Sequence, residues 1–227
     1  MIFERTIQLI GEEKFKRIQD STVLIFGLGG VGGHSCEALV RSGVGKVIIV
    51  DDDLIEKSNI NRQIIALHST LGRPKTEVMK ERLLDINPEC EVITYQTFYD
   101  YNTKDEIFNH RIDFICDAID TVTYKIDIIK EALNRDIPFI SSMGAASKMK
   151  PELFQIDDIN NTSHCPVAKR IRKKLRSQKV TGKIPVIYSK EEPQKLDSWK
   201  YSPSSNAFVP GVAGLICASY IINKRIE

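Results

Sequence analysis

Gly27-Leu28-Gly29-Gly30-Val31-Gly32 fits the pattern G-x-G-x-x-G and stands between an apolar run and a segment of helical character. In that setting glycines permit a tight turn and let amides at a helix N-terminus approach phosphate oxygens, where the helix dipole favours negative charge. Asp51 closes the next apolar run, a position suited to hydrogen-bonding ribose hydroxyls. These two features suit NAD or FAD as well as ATP, and glycines serving only a packed turn would fit too. The stretch Asp51-Asp52-Asp53-Leu54-Ile55-Glu56-Lys57-Ser58-Asn59-Ile60-Asn61-Arg62-Gln63, with Lys75 beyond it, points to a triphosphate. A nicotinamide needs an aromatic-sized slot and has no use for so many polar and basic groups after the second strand. Arg62 can fork onto two phosphate oxygens, and Lys75 can act as a compact point charge. Taken singly, without the surrounding motif, either residue reads first as an exposed surface cation.

A second acidic signature, Asp117-Ala118-Ile119-Asp120-Thr121, follows the apolar run that starts at Asp113. Ligands of open parallel sheets bind outside the carboxyl ends of the strands. A carboxylate there can hold Mg²⁺ against a triphosphate, because that hard cation prefers one or two carboxylates plus phosphate oxygens. An aspartate at a strand end also serves simply to bond backbone amides, and Asp117 fits that description.

The elements that must carry these residues follow from the apolar patterning. A polar, helix-like segment (Gly11 to Asp20) precedes Thr22 to Phe26, which is β-branched and wholly apolar, as a central parallel strand buried on both faces should be. A helix at His34 to Arg41 and a strand at Lys46 to Val50 complete a βαβ unit. Helices at Thr76 to Ile86, Thr103 to Asn109 and Lys125 to Asn134 alternate with strands at Glu91 to Tyr95, Asp113 to Cys116 and Pro138 to Ser142. The fold class this implies is α/β: a Rossmann-like, mainly parallel sheet with helices on both faces. Past Gly144 the pattern loosens into an extension with a short strand at Leu153 to Ile156, a basic segment, a β-like run at Ile184 to Tyr188 and a polar loop through Asn206. Phe208 to Asn223 reads as a buried helix, too short and too interrupted by glycine and proline to span a bilayer.

With 227 residues, 42% hydrophobic and 27% charged, the chain matches ordinary globular proteins, and one domain over 1–227 is expected, with a nucleotide-binding core near 20–145 and a substrate-side extension near 146–227. The net charge of +2 hides a basic run: Lys169, Arg170, Arg172, Lys173, Lys174, Arg176 and Lys179 follow one another with no acid among them. Such a run is either a solvated helix face or a surface for a polyanion. Cys36, Cys90, Cys116, Cys165 and Cys217 are odd in number and form no C-x-x-C pair, which argues against a zinc site and a disulfide scaffold and fits a reducing cytoplasm. The N-terminus lacks a basic start followed by an apolar signal core, and no membrane association is expected. Cys165 has basic neighbours in sequence that would favour thiolate and open a role with a sulfur-relay partner; the alternative is a structural cysteine at a helix start before Pro166. His164 beside it has no second metal ligand at useful spacing.

The nucleotide motifs resemble those of the ubiquitin-activating-enzyme-like superfamily of ThiF and MoeB adenylyltransferases. That resemblance implies an ATP site with Gly27, Gly29 and Gly32 in the turn, Asp51 on the ribose, Asn59, Arg62 and Lys75 on the phosphates, and Asp120 on Mg²⁺. It also implies a homodimer in which Arg5 crosses to the partner's ATP. Several members carry a zinc held by two C-x-x-C pairs, which this chain lacks. Phe3-Glu4-Arg5-Thr6, Ser141-Ser142-Met143-Gly144-Ala145, Thr162-Ser163-His164-Cys165-Pro166-Val167-Ala168-Lys169 and Tyr188-Ser189-Lys190-Glu191-Glu192-Pro193 are similar to the tRNA threonylcarbamoyladenosine dehydratase branch. The resemblance implies ATP-driven activation of the threonylcarbamoyl carboxylate on adenosine 37 of tRNA, followed by cyclisation with loss of water. Lys169, Arg170, Arg172, Lys173, Lys174 and Arg176 then become candidate tRNA phosphate contacts. Base-stacking aromatics are not evident beside that run; Trp199, Tyr201 and Phe208 in the late loop are as compatible with a core or hinge role. Two rivals remain at this level: activation of the C-terminal glycine of a small sulfur-carrier protein, and a nucleotide-binding redox or scaffold domain without adenylation chemistry.

Overall fold

The computed structural model describes residues 2–193 and 204–227. Trp199 and Tyr201 therefore lie outside the described residues. Helices α1 (Glu4–Ile10) and α2 (Glu12–Gln19) lead into strand β1 (Thr22–Phe26), followed by α3 (Gly32–Arg41) and β2 (Lys46–Val50). The chain continues through α4 (Lys75–Ile86), β3 (Glu91–Tyr95), α5 (Lys104–Ile107), β4 (Phe114–Asp117), α6 (Val122–Asn134) and β5 (Phe139–Ser142). After β5 come β6 (Phe154–Asp158), α7 (Pro166–Ser177), β7 (Pro185–Ser189) and α8 (Phe208–Ile226).

All seven strands join one sheet in the order β3-β2-β1-β4-β5-β7-β6. Each neighbouring pair from β3 through to β7 is parallel, and β6 runs antiparallel to β7 at the edge. The extension after Gly144 thus continues the sheet. β1 runs outward to β2 and β3 on one side, while β4 and β5 lie on the other. The order reverses between β1 and β4, and strand ends diverge there to leave a crevice.

The alternation of side chains along β1 explains why it is apolar throughout. Val23 and Ile25 pack with α2, α3, α4 and α8 on one face, while Leu24 and Phe26 pack with α5, α6 and α7 on the other. α8 is buried along Val209, Ala213, Cys217 and Ile221, whereas Phe208 and Leu215 are exposed, so the apolar tract is a half-buried helix and not one enclosed on every side. Gly214 lets α8 approach α3: a Cβ there would stand 2.3 Å from the Val31 carbonyl oxygen. α1 was not evident from patterning, because none of its residues is buried.

Candidate nucleotide site

Outside the carboxyl ends of β1, β2, β4 and β5 lies a cleft of about 890 Å³. Its walls include Gly27, Gly29, Asp51, Asn59, Arg62, Lys75 and Asp120, residues drawn from widely separated parts of the chain. Gly27 has φ +86°, and a Cβ on Gly32 would meet the Gly27 carbonyl oxygen at 1.8 Å. Gly32 accordingly packs the turn against α3 and does not line the cleft. At Gly29 a Cβ would meet nothing within 4 Å, so the bare backbone faces open space over the helix start. That is a phosphate-binding arrangement in outline, a glycine turn at a helix N-terminus with a favourable dipole, in which the Gly33 amide is already bonded to the Gly29 carbonyl at 3.0 Å.

Asp51 is fixed before any ligand arrives. Its Oδ2 accepts the Leu28 amide at 2.6 Å and its Oδ1 accepts the Asp53 amide at 2.9 Å. Burial pushes its carboxyl up from the ordinary aspartate value, against the opposing pull of the Lys75 ammonium and the two amides. Lys75, at the first position of α4 and only 4% exposed, pairs with Asp53 at 2.6 Å and stands 3.7 Å from Asp51. Asn59 is buried, its Oδ1 accepting the Glu56 amide at 3.1 Å. Arg62 is held from its own turn: Nη1 donates to the Ser58 carbonyl at 2.8 Å and to Asn61 Oδ1 at 2.9 Å. These contacts pre-position one guanidinium and one ammonium on the wall of the cleft that follows β2.

Two acidic groups compete as metal holders. The carboxylates of Asp51, Asp52 and Asp53 offer oxygens within 4.8 Å of one another. Two of the three are already occupied, Asp51 by backbone amides and Asp53 by Lys75. Asp120 is exposed, and the Thr121 hydroxyl bonds its Oδ1 at 3.4 Å. A hard cation with phosphate oxygens on its other side suits such an oxygen donor, so the residues present fit Mg²⁺ at Asp120 better than at the triplet.

Sequence reasoning missed the floor of this site. Lys125, on α6 and 1% exposed, lines the cleft and pairs with the fully buried Asp117 at 2.9 Å. The Ser141 hydroxyl donates to Asp117 Oδ2 at 2.6 Å. Asp117 does accept a backbone amide, from Ile119 at 3.3 Å, but its main partner is the lysine. Thr97, Phe98 and Tyr99 after β3 and Ser142 to Ala146 at the end of β5 add further walls, as do Val167, Ser205 and Pro210. The first group carried no motif; the second was visible only as part of the family resemblance.

A family model described as the ThiF family matches residues 3–225 of this chain. The chain belongs to the ThiF family. It is 46% identical over 240 residues to the tRNA threonylcarbamoyladenosine dehydratase of Bacillus subtilis, covering 99% of this chain and 94% of that protein. It is 34% identical over 175 residues to the Escherichia coli protein of the same name, covering 77% of this chain and 65% of that one. The crystal structure of the E. coli dehydratase in complex with ATP superposes with a TM-score of 0.92 at 29% identity, over 99% of this chain and 93% of that one. A likeness to E. coli MccB, 21% identical with a TM-score of 0.70, concerns the fold alone.

Within this ThiF-family chain, Arg5 does not reach the cleft. It is exposed on α1 and is not among the residues that line the cleft. The basic run as far as Arg176 lies on α7, whose buried stripe is Ala168, Ile171 and Leu175, and Lys179 follows its end. Lys169, Arg170, Lys173, Lys174, Arg176 and Lys179 are exposed, and among the described residues none of them has a carboxylate partner within 4.0 Å. Arg172 is different: its Nη1 donates to the carbonyls of Ile159 and Thr162 at 3.0 Å each and to the Thr162 hydroxyl at 2.5 Å. Its charge latches α7 to the turn before it and is poorly placed to meet a phosphate.

Cys165 caps α7, its Sγ accepting the Ala168 amide at 3.5 Å, and it is buried. The basic residues near it in sequence are exposed on α7, and the cation close enough to interact with its sulfur is the buried Lys148, from a distant segment. Its burial and its place as the cap of α7 support the structural alternative for Cys165. His164 Nδ1 lies 3.1 Å from Glu192 Oε1.

Proposed function

We propose that this chain uses ATP to dehydrate N6-threonylcarbamoyladenosine at position 37 of tRNA. The observation that carries this reading is a cleft holding Asp51, Asn59, Arg62, Lys75 and Asp120 together, in a chain that matches a curated dehydratase over almost its full length. A carboxylate is a poor electrophile, and its attack on the α-phosphate of ATP expels pyrophosphate and gives an acyl-adenylate. Cyclisation then expels AMP, whose departing oxygen is the one the nucleoside loses, so the product is lighter by one water. Catalysis of the first step is positioning and charge neutralisation, for which a fixed guanidinium and ammonium suffice without a protein nucleophile.

In this reading Gly27 and Gly29 admit the phosphates to the start of α3, Asp51 accepts from the ribose, and Arg62 and Lys75 neutralise the phosphate oxygens. Phosphate binding must draw Lys75 from Asp53, which is 63% exposed at its side chain and can turn to water. Mg²⁺, bound at Asp120, would supply charge neutralisation on the triphosphate. The exposed cations of α7 are the proposed tRNA contacts, with Arg172 assigned to the fold. Arg5, exposed and outside its own cleft, is proposed to complete the site of a second copy in a homodimer. No helix among the described residues is long and apolar enough to cross a membrane.

The test is incubation with Mg²⁺-ATP and tRNA bearing threonylcarbamoyladenosine, followed by nucleoside mass spectrometry. AMP, pyrophosphate and a nucleoside lighter by one water are expected. An unchanged nucleoside, with ATP split to AMP only when a sulfur-carrier protein is added, would replace this reading by the carrier-activating one.

A further inference from the structure

The side of the sheet covered by α5, α6 and α7 brings together two surface features that the sequence keeps apart. One is the cationic face of α7. The other is a cluster of aromatic rings formed by Phe98, Tyr99, Tyr101 and Tyr124. Tyr124, on α6, meets Phe98 with ring centroids 5.1 Å apart at 86° and Tyr101 with centroids 5.7 Å apart at 58°. Tyr99 lies beneath, buried, with its hydroxyl donating to Asp127 at 2.8 Å, and it meets Tyr124 edge-on at 6.2 Å. Lys104 stands 5.6 Å from the centre of the Tyr101 ring and is itself held by Glu131 at 3.0 Å. The cluster is thus anchored from below and from the side, while its outer rings remain open: Phe98 is 43% and Tyr101 is 61% exposed.

Position separates the rings into two groups. Phe98 and Tyr99 line the nucleotide cleft, whereas Tyr101 and Tyr124 stand beyond it. Because α6 packs against α7, the outer rings and the exposed lysines and arginines of α7 belong to one side of the molecule. An open aromatic on the same side of a molecule as a basic face is a combination by which proteins hold unpaired RNA bases: phosphates meet the charge and a base stacks on the ring.

We propose that Tyr101, braced by Tyr124, is a stacking platform for an unpaired base of the tRNA, next to the nucleotide that enters the cleft. This rests on the dehydratase reading and adds to it a second, non-electrostatic contact with the RNA. The adenine of ATP is not the base concerned, since the Tyr101 ring lies outside the cleft walls.

Tyr101→Ala and Tyr101→Phe, made in the full chain, test this through tRNA affinity over a range of salt concentrations and through the KM for ATP. Tyr101→Ala should weaken tRNA binding about tenfold, a loss typical of one stacked base. The loss should be equal at every salt concentration, because no counterion is released at a neutral ring. Tyr101→Phe should restore binding, and the KM for ATP should not change in either variant. Unaltered tRNA affinity in Tyr101→Ala, a loss that Tyr101→Phe does not repair, or a rise in the KM for ATP alone would each overturn the proposal. The wild-type chain is the control for the underlying reading: if it neither binds nor dehydrates the tRNA, the dehydratase assignment fails along with the platform. If it does both and Tyr101→Ala matches it, only the platform fails.

Discussion

Lys125 Nζ lies 2.9 Å from Asp117 Oδ1, and both side chains are almost wholly shut off from solvent. The pair joins α6 to the end of β4, and the Ser141 hydroxyl ties in β5 by its bond to the other Asp117 oxygen. It therefore fixes the strand ends on which Asp120 stands. A buried ion pair is weak evidence of net stability, since desolvating both charges offsets much of their attraction, yet removing one partner strands the other in a place water cannot reach.

Lys125→Met should for that reason lower the free energy of unfolding by about 3–5 kcal/mol, measured by urea denaturation. The double variant Lys125→Met with Asp117→Asn should recover part of the loss, because the amide removes the uncompensated charge. Equal losses in the single and double variants would show that the cost is one of packing, without a contribution from the stranded carboxylate.

Glu37 makes a comparable clamp between α3 and α4, closer to solvent. Burial raises its pKa, but bonds from Arg82 and Arg41, the latter at 2.7 Å, outweigh that effect and hold the carboxyl below the usual glutamate value. A group whose folded pKa is depressed contributes stability above its unfolded value of about 4.3 and loses it as pH falls through the folded one. Glu37→Gln should cost roughly 1 kcal/mol at pH 7, a modest figure because the Arg41 and Arg82 side chains are partly exposed and screened. The difference from wild type should shrink as pH falls below about 4. A gap that stays constant from pH 7 to pH 3 in thermal or urea unfolding would contradict the assignment.

The glycine turn, Asp51 and the mainly parallel α/β class were legible because each rests on local patterning: fixed spacing, a strand end, and alternation of apolar runs; the order of the strands in the sheet was not. What was not legible depends on contacts between distant segments. Lys125 sits on a helix, where a lysine ordinarily reaches water, and nothing local announces that Asp117 waits at the end of β4. Arg172 looks like any other cation of its run until the turn from Ile159 to Thr162 is seen packed against α7. Phe98, Tyr101 and Tyr124 come from a loop and from α6, so no single segment displays the aromatic cluster. Cys165 shows the same limit from the other direction: its basic neighbours in sequence are exposed on α7, while its buried sulfur lies near Lys148, a cation that the local sequence does not reveal.

The exposed cations of α7 should behave differently from Arg172. Reversing Lys173, Lys174 and Arg176 together should weaken tRNA binding and flatten the dependence of log K on log salt, because fewer counterions are released. Folding should be little affected, since these residues are exposed. Arg172→Ala should do the reverse, destabilising the chain by about 1–3 kcal/mol through three lost bonds to the preceding turn, with little change in the salt slope. Filter binding between 50 and 200 mM salt, about the range over which such slopes are resolved, would separate the two roles. A triple variant indistinguishable from wild type across that range would make α7 a solvated face.

Arg62 and Asp120 both line the cleft and should separate binding from turnover. Arg62 is anchored by Ser58 and Asn61 through one nitrogen, and its removal deletes charge where charge develops on the triphosphate during displacement. Arg62→Ala should depress kcat about 10²–10³-fold, the loss typical of one preorganised charge-stabilising donor. Its thermal unfolding should stay close to wild type, since the side chain is only partly buried. Asp120→Ala should likewise fold normally, because Asp120 is exposed beyond the end of β4, but its turnover should no longer respond to Mg²⁺ concentration. Pyrophosphate exchange titrated with Mg²⁺ checks both. If Asp120→Ala keeps the wild-type Mg²⁺ response, the metal is held elsewhere, and the carboxylates of Asp51, Asp52 and Asp53 become the group to replace next.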